Sequence, residues 1–573
     1  MKFSITLLFL LLTGVALEAQ VNYFISNNGD DSNDGSIQSP WKTIRHGIAA
    51  LVPGDTLNLR EGTYYEKVDF DVAGTPGAYI TLRGYPGEAV QISGANSPDE
   101  TPLLYTESAY QVIENIHFTN NQHNYASGIA LQGTAHHIII RDNRVSQITF
   151  SRDLNSPVTY NTNAVPINMW ADTYPDSMHH ISILSNEVFD NRTGYSENIS
   201  GSGNLSEVLI EGNSVHDNTN IGIDLGGHYR VVPQPEYDQA RHAIIRGNLV
   251  YNNVASYSNA AGIYIDGGRD IVVENNISHH NGYGGEIGCE ENGATERISF
   301  RNNIFYKNEV AGMHIGGYDP NTTGIVRDFT VTGNTFYAND TKQTDNGELL
   351  FSLFERGTIH NNIFYVDNPA HVWMYSDRSQ TGLKMDYNLL YLDDGSGQDL
   401  LATFNNKDYE GLASFYRQTG LGRHDIFGDP SFKDLHAPLP DFHLTNSSPA
   451  IDQGNPSYIA APGEKDLDGE ARIIHQRVDI GADEYASGNS TVPIWDIGQR
   501  FHTTPNPGMD YIYIVPDPGA VYYTLYDIKG RPLYEGCYTG KIAIGSLSKG
   551  IYALQIMEDK KKNSNQVVWV MKW

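Results

Sequence analysis

Three carboxylates in one stretch of the chain have the right chemistry to cut or hold a sugar: Asp224, Asp266 and Glu286. Each lies in a short glycine-flanked phrase, GIDLGG from Gly222, GIYIDGG from Gly262 and GGEIGCEE from Gly284. A fourth phrase, GMHIGGYD from Gly312, carries His314. If Leu225, Ile265, Ile287 and Ile315 point into a core, their neighbours Asp224, Tyr264, Glu286 and His314 stack on the outer face. One strand step further, the outward residues are Gly226, Asp266, Gly288 and Gly316. Glu290 and Glu291 extend the patch, and Glu197, as far past Asn186 as Asp224 is past Asn213, is expected to join it.

Like charges on neighbouring strands repel, so stability alone does not favour this grouping. Repulsion instead raises one carboxyl pKa and leaves a general acid beside an ionised base. Two rungs separate Asp224 from Glu286, roughly 9–10 Å between backbones, and Asp266 stands roughly 8 Å from each. Side-chain reach brings such pairs to the roughly 5 Å or 6.5–9.5 Å of retaining or inverting glycosidases. The expected central pair is Asp266 and Glu286, with Asp224 as a third carboxylate and His314 orienting or binding. The long insertions carry Tyr160, Trp170 and Tyr174, then Tyr229 and Tyr237. With Tyr264 and Tyr283 nearer the acids, these rings offer flat faces to a polysaccharide or oligosaccharide. Trp170, Tyr229, Tyr264, Tyr283, Glu197, Glu290 and Glu291 are therefore the expected substrate-binding residues.

Two other chemistries stay open. A polysaccharide lyase needs a base, usually Lys or Arg, and often Ca²⁺ to acidify the proton taken. Asp224, Asp266, Glu286 and Glu290 could hold calcium, but the stacked positions contain no Lys or Arg; Arg269, Arg301 and Lys307 lie off the columns. A glycan-binding surface protein would use the same rings without needing paired carboxylates. Hydrolysis requires no cofactor, and calcium is the one the acidic column could take.

The element that positions these residues is a repeat. A β-rich run followed by Asn and another branched or aromatic residue returns as IIIRDNRV, ISILSNEVF, VLIEGNSV, AIIRGNLV, IVVENNIS, ISFRNNIF and FTVTGNTF. It marks Asn115, Asn143, Asn186, Asn213, Asn248, Asn276, Asn303, Asn334 and Asn362, with Asn388 as a last member, mostly 27 or 28 residues apart. That period is one three-strand turn of a solenoid, and the longer gaps after Asn143 and Asn213 are loop insertions. A single coil cannot bury its apolar face, whereas a stack can. Asn suits a left-handed turn, and stacked amides bond from rung to rung. The asparagines are therefore scaffold.

Residues 22–485 resemble the right-handed parallel β-helix proteins that include pectate lyases, alginate lyases and glycoside hydrolases. That resemblance implies an all-β parallel β-helix with a carbohydrate-active role. Thr43–Leu51 is expected to form a short helix plugging the first coil, followed by a turn at Pro53, Gly54 and Asp55. The Asp/Asn/Gly cluster over 27–34 reads as turn chemistry rather than a Ca²⁺ loop, as do Asp466, Asp468 and Asp483 in the tail phrases DLDGEAR and VDIGADEY. From Thr503, the phrases TPNPGMDYIYIV, YTLYDIKGRPLYEG and IAIGSLSKGIYALQI predict a small antiparallel β-sandwich. They resemble the C-terminal sorting domain of the Bacteroidetes type IX secretion system, which implies a secreted or surface-attached protein and the secretion machinery as partner.

The ends and the charge agree with export. Lys2, the apolar run Ile5–Leu17 and Ala19 form a signal peptide over 1–19, too short to span a bilayer. The expected division is then 20–485 for the β-helix, 486–502 for a linker and 503–573 for the sorting domain. A net charge of −30 argues against nucleic acid and anionic membranes as partners. The two cysteines, Cys289 and Cys537, are too few for a disulfide scaffold or a Cys-based metal site. A monomer is expected.

Overall fold

A computed structural model describes residues 20–486, except 96–100, 318, 320–321, 368–370, 376–379, 394–400, 406 and 438–439; beyond 501 it describes the strands of the C-terminal segment and a few residues between them. The expected signal peptide and nearly all of the expected linker lie outside the described residues.

Each coil contributes one strand to each of three 13-stranded sheets. One complete turn shows the plan: Arg269–Glu274 in the first sheet, Ile277–His279 in the second and Tyr283–Gly288 in the third. The next turn repeats it in parallel register, with Ile271 beside Ile298, Ser278 beside Phe305 and Ile287 beside Ile315. Inside, aliphatic side chains such as Ile181, Ile210, Ile245 and Ile271 are fully buried. Towards the C-terminal coils the filling becomes aromatic, with the ring centroids of Phe305, Phe336 and Phe364 successively 5.2 and 5.0 Å apart. Flat rings on the rung spacing keep the interior dense along the axis.

Asparagine amides turn the corner between the first two sheets. Asn143, Asn186, Asn213, Asn248, Asn276, Asn303, Asn334 and Asn362 each donate their backbone N–H to the side-chain oxygen of the next, ending at Asn388. Each Nδ2 also reaches a backbone carbonyl of an earlier coil, as Asn276 does to Ile245 at 2.9 Å. The last donors, the N–H and Nδ2 of Asn388, meet Oδ1 of Asp425 at 2.7 and 3.2 Å. Asn115 is not a member. The residue in its rung that meets Asn143 is Ile116, whose N–H bonds Oδ1 of Asn143 at 3.1 Å. Asn115 instead supplies the left-handed backbone (φ 57°) that precedes each ladder position, the role of Asp142 and Ser185 in the following coils.

A second, unpredicted ladder turns the next corner through Asn191, Asn218, Asn253, Asn281, Asn308 and Asn339. It too ends on a carboxylate, with Glu348 accepting from the N–H and Nδ2 of Asn339 at 3.1 and 2.6 Å.

At the N-terminal end, the helix Ile44–Ala50 is capped by Thr43 and buries Ile44 and Ile48 against the first coil. The 27–34 cluster is turn chemistry: Asp30 accepts from Ser32 N–H at 2.9 Å, and Asp31 from Thr43 N–H at 2.9 Å. The tail packs outside the second sheet, where Phe442 and Ala482 meet Ile304 and Tyr306. There His443 donates to Asp468 at 2.8 Å and to Asp441. Burial opposes charge on this imidazole, but the two carboxylates prevail and hold its pKa up to about 11. The C-terminal segment forms antiparallel sheets of three and four strands around Leu525, Ile544 and Leu554.

Candidate active site on the third sheet

Five strands of the third sheet position the carboxylates: Ile199–Gly203, Ile223–Gly226, Ala261–Asp266, Tyr283–Gly288 and Ala311–Ile315. Their register sets Ser200, Asp224, Tyr264, Glu286 and His314 in one column. Gly226, Asp266 and Gly288 form a second column two residues further along. Leu225, Ile265, Ile287 and Ile315 fill the coil interior, and strand alternation sends the polar residues between them outward.

Outward here does not mean open to water. Asp224, Asp266, Glu286 and His314 are only 5%, 2%, 2% and 1% exposed. Tyr229 of the insertion after Asn213 closes over Asp266, and an aromatic layer in which Tyr264 and Tyr283 pack with Ala261, Val310 and Ala311 lies beside it. These two tyrosines therefore offer no free face to a sugar. Gly288 explains where the Tyr264 ring goes: a Cβ on that glycine would lie 2.4 Å from the Tyr264 hydroxyl oxygen. Tyr283 stacks on His314, their ring centroids 5.5 Å apart.

The acids are in different chemical situations. Oδ1 of Asp266 accepts the Glu290 N–H at 2.7 Å, and Oδ2 accepts the Tyr229 hydroxyl. Burial raises its pKa to about 6, and these donors limit the rise by favouring the ionised form. Asp224 has no such support. Its buried Oδ1 has no hydrogen-bond partner, and burial followed by the charges of Glu197 and Asp266 pushes its pKa well above the usual carboxylate range. Glu286 is held by Nδ1 of His314 at 2.7 Å, and Nε2 of His314 meets Oγ of Ser352 at 3.0 Å.

Glu197 reaches the cluster by a different route from the one its spacing suggested. Ser200, not Glu197, is beside Asp224. The glutamate precedes the strand and bonds back to Oγ of Ser200 at 2.9 Å. Burial raises its pKa to about 7, the Ser200 hydroxyl opposes the rise and Asp266 adds to it. Glu290 is exposed at the rim and Glu291 half-buried beside it.

Trp170 falls in the column of Asp266, which its sequence position did not reveal. It pairs with Ser202, whose Oγ lies 2.9 Å from where a Cβ on Gly226 would be, and Gly226 pairs with Asp266. Between Trp170 and Asp266 the column is therefore small. The Tyr229 ring lies over it, 3.3 Å from where a Cβ on Gly226 would be. Trp170 and Tyr229 are each 41% exposed, so both present ring surface above the buried acids. Tyr160 and Tyr174 are also exposed, and Tyr174 packs on Tyr237 at 4.9 Å.

The charges that bear most on Asp224, Asp266 and Glu197 are other carboxylates. Their oxygens do not converge as a cation site. Among the described residues, three or more donor atoms lie within 4.8 Å of one another only at His137, His179 and His180 and at His443, Asp468 and Asp483. The acidic column as arranged does not fit calcium.

A right-handed parallel β-helix with acids on one sheet and an antiparallel C-terminal domain defines the class. Residues 23–321 match the family model described as Pel9A-like, right handed beta helix region, and the chain belongs to that family. Residues 504–570 match the secretion system C-terminal sorting domain, so the protein is exported to the cell surface or beyond it by the corresponding machinery. The chain is 32% identical over 445 residues to the uncharacterized protein YwoF of Bacillus subtilis (strain 168), covering 74% of this chain and 91% of that protein. Over 77 residues it is 34% identical to the pectate lyase PEL9 of Emericella nidulans, covering 13% of this chain and 19% of that one. Among solved structures, pectate lyase Pel9A aligns with a TM-score of 0.42 at 14% identity, covering 82% of this chain and 97% of that one. The GH136 lacto-N-biosidase from Eubacterium ramulus aligns with a TM-score of 0.38 at 13% identity, covering 65% and 64%.

Proposed function

We propose that this exported protein is a carbohydrate-active enzyme that hydrolyses a glycosidic bond in a polysaccharide or oligosaccharide. The observation that carries this reading is the contrast between Asp266 and Asp224 on adjacent strands. Asp266, whose ionised form is favoured by the Glu290 N–H and the Tyr229 hydroxyl, is the base or nucleophile. Asp224, buried with an unpartnered oxygen and a raised pKa, keeps its proton and is the general acid. Their backbones stand roughly 8 Å apart, within reach of either glycosidase geometry after side-chain extension. Glu286, engaged by His314, serves as a positioning carboxylate. Trp170 and Tyr229 supply the ring surface along which the sugar chain approaches, and Tyr229 must swing off Asp266 for the bond to reach the acids.

A second reading, a calcium-dependent polysaccharide lyase, is supported by membership of the Pel9A-like family and by the pectate lyase relative. It requires Asp224, Asp266, Glu286 and Glu290 to regroup around Ca²⁺ and a base from outside the two columns. Incubating the full chain with plant, algal and host polysaccharides and weighing the products decides between them. Hydrolysis adds water across each cut and persists in EDTA. Products that carry a new double bond, formed only with calcium, would replace the first reading by the second. Glycan retained without any cleavage would leave a binding protein.

A further inference from the structure

Outside this site, two His-His pairs lie on adjacent rungs of the first sheet. His136 and His137 end one coil's approach to the strand, His179 and His180 the next, and His136 pairs with His179 in register. Strand alternation should send the second member of each pair inward. It does not, because His137 and His180 adopt left-handed backbone (φ 55° and 54°), as do Tyr110 before them and Glu207 after them. The twist turns consecutive side chains to the same outer face. Nδ1 of His136 and Nδ1 of His137 are 2.9 Å apart, and those of His179 and His180 are 2.7 Å apart. Between rungs, His136 stacks on His179 at 5.0 Å and His137 on His180 at 4.3 Å. Glu207 on the following rung brings a carboxylate oxygen 2.8 Å from Nδ1 of His180.

From this geometry we propose that His137, His179 and His180, with Glu207 as fourth ligand or outer partner, bind one divalent first-row transition-metal ion, Zn²⁺ or Cu²⁺. Donor atoms of the three histidines already lie within 4.8 Å of one another. A tetrahedral zinc with bonds of about 2.0–2.1 Å needs neighbouring donors about 3.3 Å apart, so modest ring rotation closes the site. The parallel rings must swing so that their lone pairs converge, and the half-exposed side chains of His180 and Glu207, 49% and 52% exposed, leave room for it. Imidazole nitrogens with a carboxylate suit zinc and copper rather than calcium. In the other convergent group, both nitrogens of His443 are already engaged by the carboxylates of Asp441 and Asp468. A bound ion would tie three successive rungs together from outside.

The test uses the full chain, stripped with EDTA and titrated with Zn²⁺ by calorimetry. One equivalent is expected to bind. The pair His137→Ala with His180→Ala should abolish it, and Glu207→Gln should weaken it about tenfold or more. His280→Ala, in the separate His279–His280 pair of the second sheet, should change nothing. Cu²⁺ added in place of zinc should show hyperfine coupling to several nitrogens in its EPR spectrum, lost in the double variant. Far-UV circular dichroism of metal-free samples checks folding; if the double variant is unfolded, His180→Gln and Glu207→Gln alone decide. Absence of binding, or binding unchanged in the folded variants, overturns the proposal.

Discussion

At the scale of single residues, the proposed chemistry depends on two aspartates whose surroundings push them apart. Asp266→Asn and Asp224→Asn should each lower turnover by about 10²–10⁴-fold while leaving the fold intact, as measured by product release and circular dichroism. The pH profile follows from their environments. Asp266 must be ionised, so activity rises with pH through about 6. Asp224 must keep its proton, so activity falls again at higher pH, above the ordinary carboxylate range. Tyr229 gives a finer test. Its hydroxyl favours the charged form of Asp266 in the free enzyme, so Tyr229→Phe should raise the Asp266 pKa there and move the acidic limb of the kcat/KM profile to higher pH. An unmoved limb would mean that another group sets it.

At the scale of the element, the asparagine ladders organise the coils. An interior member such as Asn276 receives two donors from Asn248 and gives two to Asn303. Asn276→Ala strands several buried groups at once and should cost about 2–5 kcal/mol in urea denaturation, more than one average hydrogen bond. The terminal carboxylates behave differently. Burial raises the Asp425 pKa to about 7, and its Oδ2 is unpartnered. Because the folded pKa lies above the unfolded value of about 3.9, the penalty is absent in acid and complete above about pH 7. Asp425→Asn keeps the accepting oxygen and removes the charge. It should therefore raise the melting temperature at pH 8 and leave it nearly unchanged at pH 4. Much of this element was legible in the sequence. The repeat period gave the first ladder and the columns of Asp224 and Asp266, because solenoid register follows directly from spacing. The second ladder was equally periodic, each Asn five residues after the first, but its members follow the β-rich runs that mark the repeat rather than sitting in them. Asn115 misled because left-handed backbone and amide stacking favour the same residue type at adjacent positions. Burial of the acids was not legible, since the cover comes from insertions that share no period with the coils.

For the whole molecule, the body and the C-terminal sandwich have separate apolar cores, one running along the coils and one around Leu525 and Leu554. Removing 503–573 should leave the purified body with unchanged circular dichroism and melting temperature. In a host with the matching secretion system, the same truncation should leave the protein inside the outer membrane, detected by cell fractionation. A body that unfolds on truncation would show that the two cores depend on each other.

The ladders also give the stack a polarity. The bonds from one asparagine to the next are all donated toward the C-terminal coils in both of them, and each line ends where a carboxylate waits. Length is therefore not free to vary at the C-terminal end. A shortened relative can lose whole coils from the middle and rejoin its lines, but a chain cut at a later coil leaves the last donors of each line bare. It regains a closed end where an acceptor, here Asp425 and Glu348, falls at each.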